Sequence, residues 1–269
     1  MHDRRARLLN LTALVVALSV PVGLLDGPAW WLGVAALMAA TAIATRASTD
    51  RSWHGLPFAP VALPMLAAFS AAGLTHLAGD GALWALALAC GGALVAVTLL
   101  AEARLAGPAD DRRARLERQV VPLAIVLAFA AFLAAAGAIT GGLADAAGQP
   151  TDTAPGALTA SGVLLLALAD AAVAAALGYR LAALRTTNLS EALRIAGTYA
   201  VVTGLGAALL RVLELPRLFG PAVLAGVFYL WSAYRDASAA QRRTSAWLLE
   251  YGLLVAALVL VVGWNLLLH

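Results

Sequence analysis

The 269-residue sequence has little charge: Asp, Glu, Lys and Arg make up 12% of it, while hydrophobic residues make up 62%. A water-soluble domain is about 25% charged and about 45–50% apolar, so this chain lacks the polar residues to cover a soluble core. The mean hydropathy of +0.86 agrees with this interpretation. We therefore expect one integral membrane domain over residues 1–269, with lipid around most of it.

Lysine is absent, since all eighteen basic residues are arginine. Without lysine the chain cannot form a Schiff base with retinal or pyridoxal phosphate, and it lacks the lysine of a phosphate-binding P-loop. Cys90 is the single cysteine, which excludes an intrachain disulfide and a Cys-x-x-Cys site. We predict no catalytic residue, no metal site and no cofactor.

Long apolar runs fill most of the sequence and predict membrane-spanning helices, because only helices satisfy their own backbone groups in lipid. The runs fall at about 8–25, 29–45, 59–78, 82–101, 120–141, 158–178, 192–213, 218–234 and 247–267. We predict an all-α polytopic transmembrane bundle of nine spans, within a range of eight to ten. Helices 1–4 (about 8–101) and helices 5–9 (about 120–267) flank an Arg-rich cytoplasmic loop at 102–119, in which Asp111 to Arg118 could form a short helix.

The arginines orient this bundle, because basic residues accumulate in cytoplasmic loops. If the nine spans start from a cytoplasmic N-terminus, only Arg211 and Arg217 fall on the outer side. We therefore predict a cytoplasmic N-terminus and an external C-terminus in a bacterial cytoplasmic (inner) membrane. Several aromatic residues then lie at the inner membrane boundary, where such rings are enriched: Tyr179, Trp231, Tyr234, Trp247 and Tyr251.

Asp170 is the first candidate for a functional residue, because it lies midway along the sixth predicted span. An aspartate at the centre of a membrane helix costs about 2.5–3.5 kcal/mol, so we expect it to face the interior and find a partner. The antiparallel seventh span supplies Tyr199 and Thr203, four residues apart on one helix face. Two interpretations stay open: a site that binds protons or a solute, and a hydrogen bond that holds two helices together.

A second candidate is a group of charged residues near the cytoplasmic ends of the later spans. It consists of Arg180, Glu191, Arg194, Arg235 and Glu250, with Tyr179 and Tyr234 beside them. Glu191 and Arg194 are three residues apart, so a local ion pair is expected. The group either binds a lipid head group or marks the ends of helices.

Small residues within the spans predict close helix packing. In the seventh span they are Gly197, Ala200, Gly204 and Ala208, and elsewhere they are Gly91, Gly92 and Gly137.

From these features we predict a non-enzymatic multi-pass membrane protein that acts as a subunit or accessory of a larger assembly. The alternative is a transporter for a small solute or lipid that uses Asp170, and the third interpretation is a lipid-modifying membrane enzyme. The expected partners are membrane lipids and other membrane proteins. Nucleic acid is not expected, because the arginines lie in short segments between apolar runs.

Overall fold

The computed structural model describes residues 2–48, 56, 58–79, 81–105, 111–140, 160–212 and 219–268. Within these ranges the chain is helical, without any β-strand, as the apolar runs predicted. The α-helices are α1 (His2–Gly23), α2 (Gly27–Ser48), α3 (Ala59–Ala78), α4 (Ala82–Leu105), α5 (Asp111–Thr140), α6 (Ala160–Ala182), α7 (Leu189–Val212), α8 (Phe219–Asp236) and α9 (Ser245–Leu268). A 3₁₀ turn at Gln241–Arg243 precedes α9.

Seven of the helices in the described ranges are long and apolar enough to cross a membrane, which supports a multi-pass membrane protein. The other two are α1, whose apolar part is Leu9–Gly23, and α8, which ends on the charged residues Arg235 and Asp236. The count of nine spans and the orientation of the bundle stay predictions.

The predicted loop at 102–119 is shorter than expected. α4 continues to Leu105 and α5 begins at Asp111, so residues 102–105 and 111–119 are helical, and 106–110 lie outside the described ranges. The reason is helix propensity: this segment is rich in Arg, Leu, Glu and Ala, which favour helix even where they are too polar for lipid. The short helix expected from Asp111 is the first part of α5.

The first five helices pack around α3, which is buried along most of its length. A Cβ atom on Gly91 of α4 would lie 2.7 Å from Cα of Ala71, so this position requires glycine, which confirms its predicted role in close packing. A Cβ on Gly137 of α5 would overlap the side chain of Leu77, so the two helices pack closely there as well.

α6 and α7 form the most extensive helix pair and are joined by the turn at 183–188. A Cβ on Gly178 would lie 2.6 Å from the ring of Tyr199, and one on Gly204 would lie 3.1 Å from Cβ of Ala171. Gly197, in contrast, has nothing within 4 Å of its ideal Cβ position. Gly204 therefore acts as the sequence predicted, and Gly197 does not.

The 183–188 turn marks one end of the bundle, which we call the turn end. α4 and α8 also end there, because Glu102 bonds to Arg180 and Asp236 pairs with Arg185. α9 begins at the same end and packs mainly against α8 and the 3₁₀ turn. No residue of its segment Ser245–Trp264 is buried.

Candidate functional site

A row of side chains along α7 carries several polar residues into the bundle interior. Tyr199, Thr203 and Arg211 lie along the i,i+4 row that also includes the buried Ile195 and Ala207, so neighbouring members of the row lie side by side. This row packs against α6, which explains why polar side chains there are shielded from the surroundings. Tyr199 is 2% exposed and Thr203 is 0% exposed.

Asp170 of α6 faces this row and is 0% exposed. Its Oδ2 lies 3.9 Å from an Nη atom of Arg211, whose side chain is 10% exposed. Side chains on a helix lean toward its N-terminus, so Arg211, near the C-terminus of α7, extends back toward mid-helix. The interior carboxylate thus has a cationic partner that the sequence interpretation missed. The signal was present, because Arg211 follows Thr203 by eight residues in the same i,i+4 row.

The polar atoms of this group are poorly satisfied. Both carboxylate oxygens of Asp170, the hydroxyl of Thr203 and Nε of Arg211 are buried without a hydrogen-bond partner among the described residues. At 3.9 Å the contact with Arg211 is an ion pair too long for a hydrogen bond. Each unsatisfied buried polar group costs about 1–3 kcal/mol, so this arrangement is costly compared with a fully hydrogen-bonded one.

Polar side chains continue from this group toward the turn end, along the contact between α7 and α8. Ser232 of α8 is buried, and the ring of Tyr199 packs 5.0 Å from that of Phe228. Thr198 Oγ1 then accepts hydrogen bonds from Trp231 Nε1 and from Arg235, both at 3.3 Å. We call Asp170, Thr203, Arg211, Tyr199, Ser232, Thr198 and Arg235 the polar column.

The charged residues predicted near the cytoplasmic ends do not form one cluster. Arg180 is separate from the others. Arg180 is buried and binds Glu102 of α4, with Nε–Oε1 at 2.7 Å and Nη2–Oε2 at 2.9 Å. The sequence interpretation placed Glu102 at the start of a loop, where a buried role is not expected. The additional turn of α4 explains the difference, because it brings Glu102 to the level of Arg180.

The remaining members of that group are also separated. Glu191 accepts a hydrogen bond from the hydroxyl of Thr186 at 2.8 Å, and Arg194 is exposed. Within the described part of the chain, Glu191 and Arg194 do not form the expected ion pair with each other. Arg235 belongs to the polar column through Thr198. Glu250 is exposed on α9, beside a crevice against α8.

No family model matches this chain, and no similar protein was found among curated proteins or among solved structures. Within the described ranges, His, Cys, Asp and Glu nowhere form a group of three that could hold a metal ion. The functional interpretation therefore depends on the polar column and on the crevice beside Glu250.

Proposed function

We propose that this chain is a non-enzymatic carrier of a bacterial cytoplasmic membrane, and that the solute it transports includes the proton. In this proposal nine spans alternate from a cytoplasmic N-terminus to an external C-terminus. The turn end then faces the cytoplasm and Arg211 lies toward the outside. Asp170, with Thr203 and Tyr199 on the facing helix, is the proton-binding centre.

The observation that carries the proposal is the loose, buried Asp170–Arg211 pair with unsatisfied polar atoms around it. A carboxylate that only joined two helices would be expected to use its oxygens in short hydrogen bonds, as Glu102 does. Intramembrane carboxylates are costly and are commonly found on ion and proton pathways. The polar column also extends from Arg211 past Asp170 to Arg235 at the turn end.

The proposed mechanism alternates between two charge states of Asp170. The ionised carboxylate attracts the guanidinium of Arg211, so the pair is electrically neutral inside the bundle. When a proton binds to Asp170, this attraction is lost and Arg211 can move toward the nearer end of α7. The proton can then leave along the hydroxyl groups of Thr203 and Tyr199 toward the turn end.

Proton flux into vesicles tests this proposal. The purified protein is reconstituted with an internal pH dye, and a potassium diffusion potential is imposed with valinomycin. We expect wild-type vesicles to acidify faster than protein-free vesicles. Asp170→Asn keeps the shape of the side chain but cannot ionise, so we expect the flux to fall at least about tenfold, equal to ~1.4 kcal/mol in the barrier.

The matched control is Asp26→Asn, because Asp26 is an exposed aspartate in the turn between α1 and α2. It should keep the wild-type flux, and circular dichroism should show equal helix content in all three proteins. Equal flux in the wild type and Asp170→Asn would contradict the assignment of Asp170.

The second candidate is a membrane subunit or accessory protein. The observation in its favour is α9, which packs mainly against α8 and leaves most of its surface uncovered. If wild-type vesicles acidify no faster than protein-free vesicles, the carrier proposal is wrong and the subunit is the better interpretation.

A further inference from the structure

A crevice of about 250 Å³ lies at the turn end, and its lining includes no residue of the polar column. α8 and α9 form its walls, and the 3₁₀ turn closes one end. Its polar and aromatic lining consists of Tyr229, Asp236, Gln241, Trp247, Glu250 and Tyr251. Because Trp247 to Tyr251 are the first turns of an apolar helix that begins at Ser245, the crevice lies where the lipid head groups of a membrane would be.

Two aromatic rings of the crevice lining belong to a longer row of rings. Trp247 and Tyr251 line the crevice and stack with ring centroids 4.7 Å apart. The row continues beyond the lining, because Tyr251 is 6.5 Å from Tyr234, which in turn stacks 5.9 Å from Trp231. Such rings have electron-rich faces that attract ammonium and guanidinium groups. Arg242 already uses one of these faces, with its guanidinium carbon 4.2 Å from the centroid of Tyr234.

The carboxylates of the crevice differ in their partners. Asp236 pairs with Arg185 at 2.6 Å. Glu250 has no hydrogen bond or ion pair with any described residue, so its negative charge is uncompensated beside the aromatic rings. A group with a positive charge and N–H donors would complement Glu250, Trp247 and Tyr251 together.

Positive charge lies at the edge of the same crevice. Arg242 Nε donates a hydrogen bond to the carbonyl of Ala237, which lines the crevice, at 3.0 Å. This contact leaves the terminal nitrogens of Arg242 available, and Arg243 next to it is exposed. Guanidinium groups bind phosphate oxygens well. A ligand that fits this crevice would therefore carry a positive group for Glu250 and a negative group for Arg242.

We propose that this crevice binds a phospholipid whose head group carries both an ammonium and a phosphate. The ammonium lies against Glu250, Trp247 and Tyr251, and the phosphate contacts Arg242. The acyl chains follow the uncovered surface of α9. This lipid site is independent of the proposed transport by Asp170, because it shares no residue with the polar column.

Native mass spectrometry of the full-length protein in detergent tests the lipid site. Equal amounts of phosphatidylethanolamine and phosphatidylglycerol with identical acyl chains are added, and the bound fractions are compared. We expect the wild type to retain phosphatidylethanolamine about five- to tenfold better, the range of one charge-assisted or cation–π contact. Glu250→Gln and Trp247→Leu should each remove this preference.

Glu191→Gln is the matched control, because Glu191 is an exposed carboxylate at the same end that lies outside the crevice. It should keep the wild-type preference. Equal retention of the two lipids by the wild type would overturn the proposal, as would an unchanged preference in Glu250→Gln. Soluble phosphoethanolamine that binds as tightly as the lipid would also overturn it, because the ligand would then come from water.

Discussion

Two arginines meet two carboxylates inside this bundle, and the distances separate their roles. Arg180 and Glu102 form two short hydrogen bonds, at 2.7 and 2.9 Å, with their side chains 6% and 1% exposed. Arg211 and Asp170 are 3.9 Å apart, and neither carboxylate oxygen has a hydrogen bond to a described residue. The first pair has the geometry of a structural link between α4 and α6, while the second is longer and leaves its carboxylate oxygens without hydrogen bonds in the described part of the chain, which is why we propose the proton-binding role for it.

Removal of one partner from the Glu102–Arg180 pair should be more harmful than removal of both. Glu102→Leu leaves a buried guanidinium without a counter-charge, and we expect the free energy of unfolding to fall by about 3–5 kcal/mol. The double variant Glu102→Leu with Arg180→Met buries two apolar side chains instead, so it should recover most of that loss. Thermal unfolding in detergent, followed by circular dichroism, measures the difference between the variants.

The control for these Glu102 and Arg180 variants is the Arg185–Asp236 pair, whose side chains are 52% and 31% exposed. Exposed ion pairs contribute about 0–1 kcal/mol, so Arg185→Gln should change the unfolding temperature little. Strictly additive effects of Glu102→Leu and Arg180→Met would show that the two side chains do not stabilise each other.

At the scale of helices, the apolar runs predicted the positions of the elements well, because insertion in lipid depends on composition alone. They could not predict where α4 and α5 end, since a helix continues past the lipid wherever its residues favour helix. Glu102 was placed in a loop for this reason. Arg211 was missed because positive charge near a span end was interpreted as a topology signal, although its spacing from Thr203 indicated a shared i,i+4 row.

Glycine positions that look alike in the sequence are expected to respond differently to substitution. A side chain on Gly91 would meet the backbone of Ala71, so Gly91→Val should force α3 and α4 apart and destabilise the protein by about 1–3 kcal/mol or more. Gly197→Ala meets nothing within 4 Å and adds helix propensity, so it should raise stability by about 0.5–1 kcal/mol. Unfolding temperatures of the two variants in the same detergent test this contrast, and a loss of stability in Gly197→Ala would contradict it.

At the scale of the whole molecule, the helices differ in what surrounds them. α3 is enclosed by its neighbours, and the α6–α7 pair carries the polar column in its interior. α9 is attached at the edge, where the crevice at the turn end separates it from α8. The proposed proton site thus lies in the packed part of the bundle, and the proposed lipid site lies at its border with the membrane.

The nine-span arrangement can be tested because Cys90 is the single cysteine of the chain. In a Cys90→Ala background, one cysteine each is introduced by Asp26→Cys, Thr187→Cys and Ala239→Cys, in three turns that the structure describes. With a cytoplasmic N-terminus, a membrane-impermeant maleimide should label Asp26→Cys in intact cells. It should label Thr187→Cys and Ala239→Cys only after the membrane is permeabilised.

Ala239→Cys tests whether α8 crosses the membrane. This helix needs its own test because it is only 18 residues long and ends on charged residues. If α7 and α8 both cross, Thr187→Cys and Ala239→Cys lie on the same side and react alike. Labelling of Ala239→Cys but not of Thr187→Cys in intact cells would show that α8 does not cross, so the chain would have eight spans. The turn end would then no longer lie on one side of the membrane, and the proposed polar column from Arg211 to Arg235 could not connect the two sides.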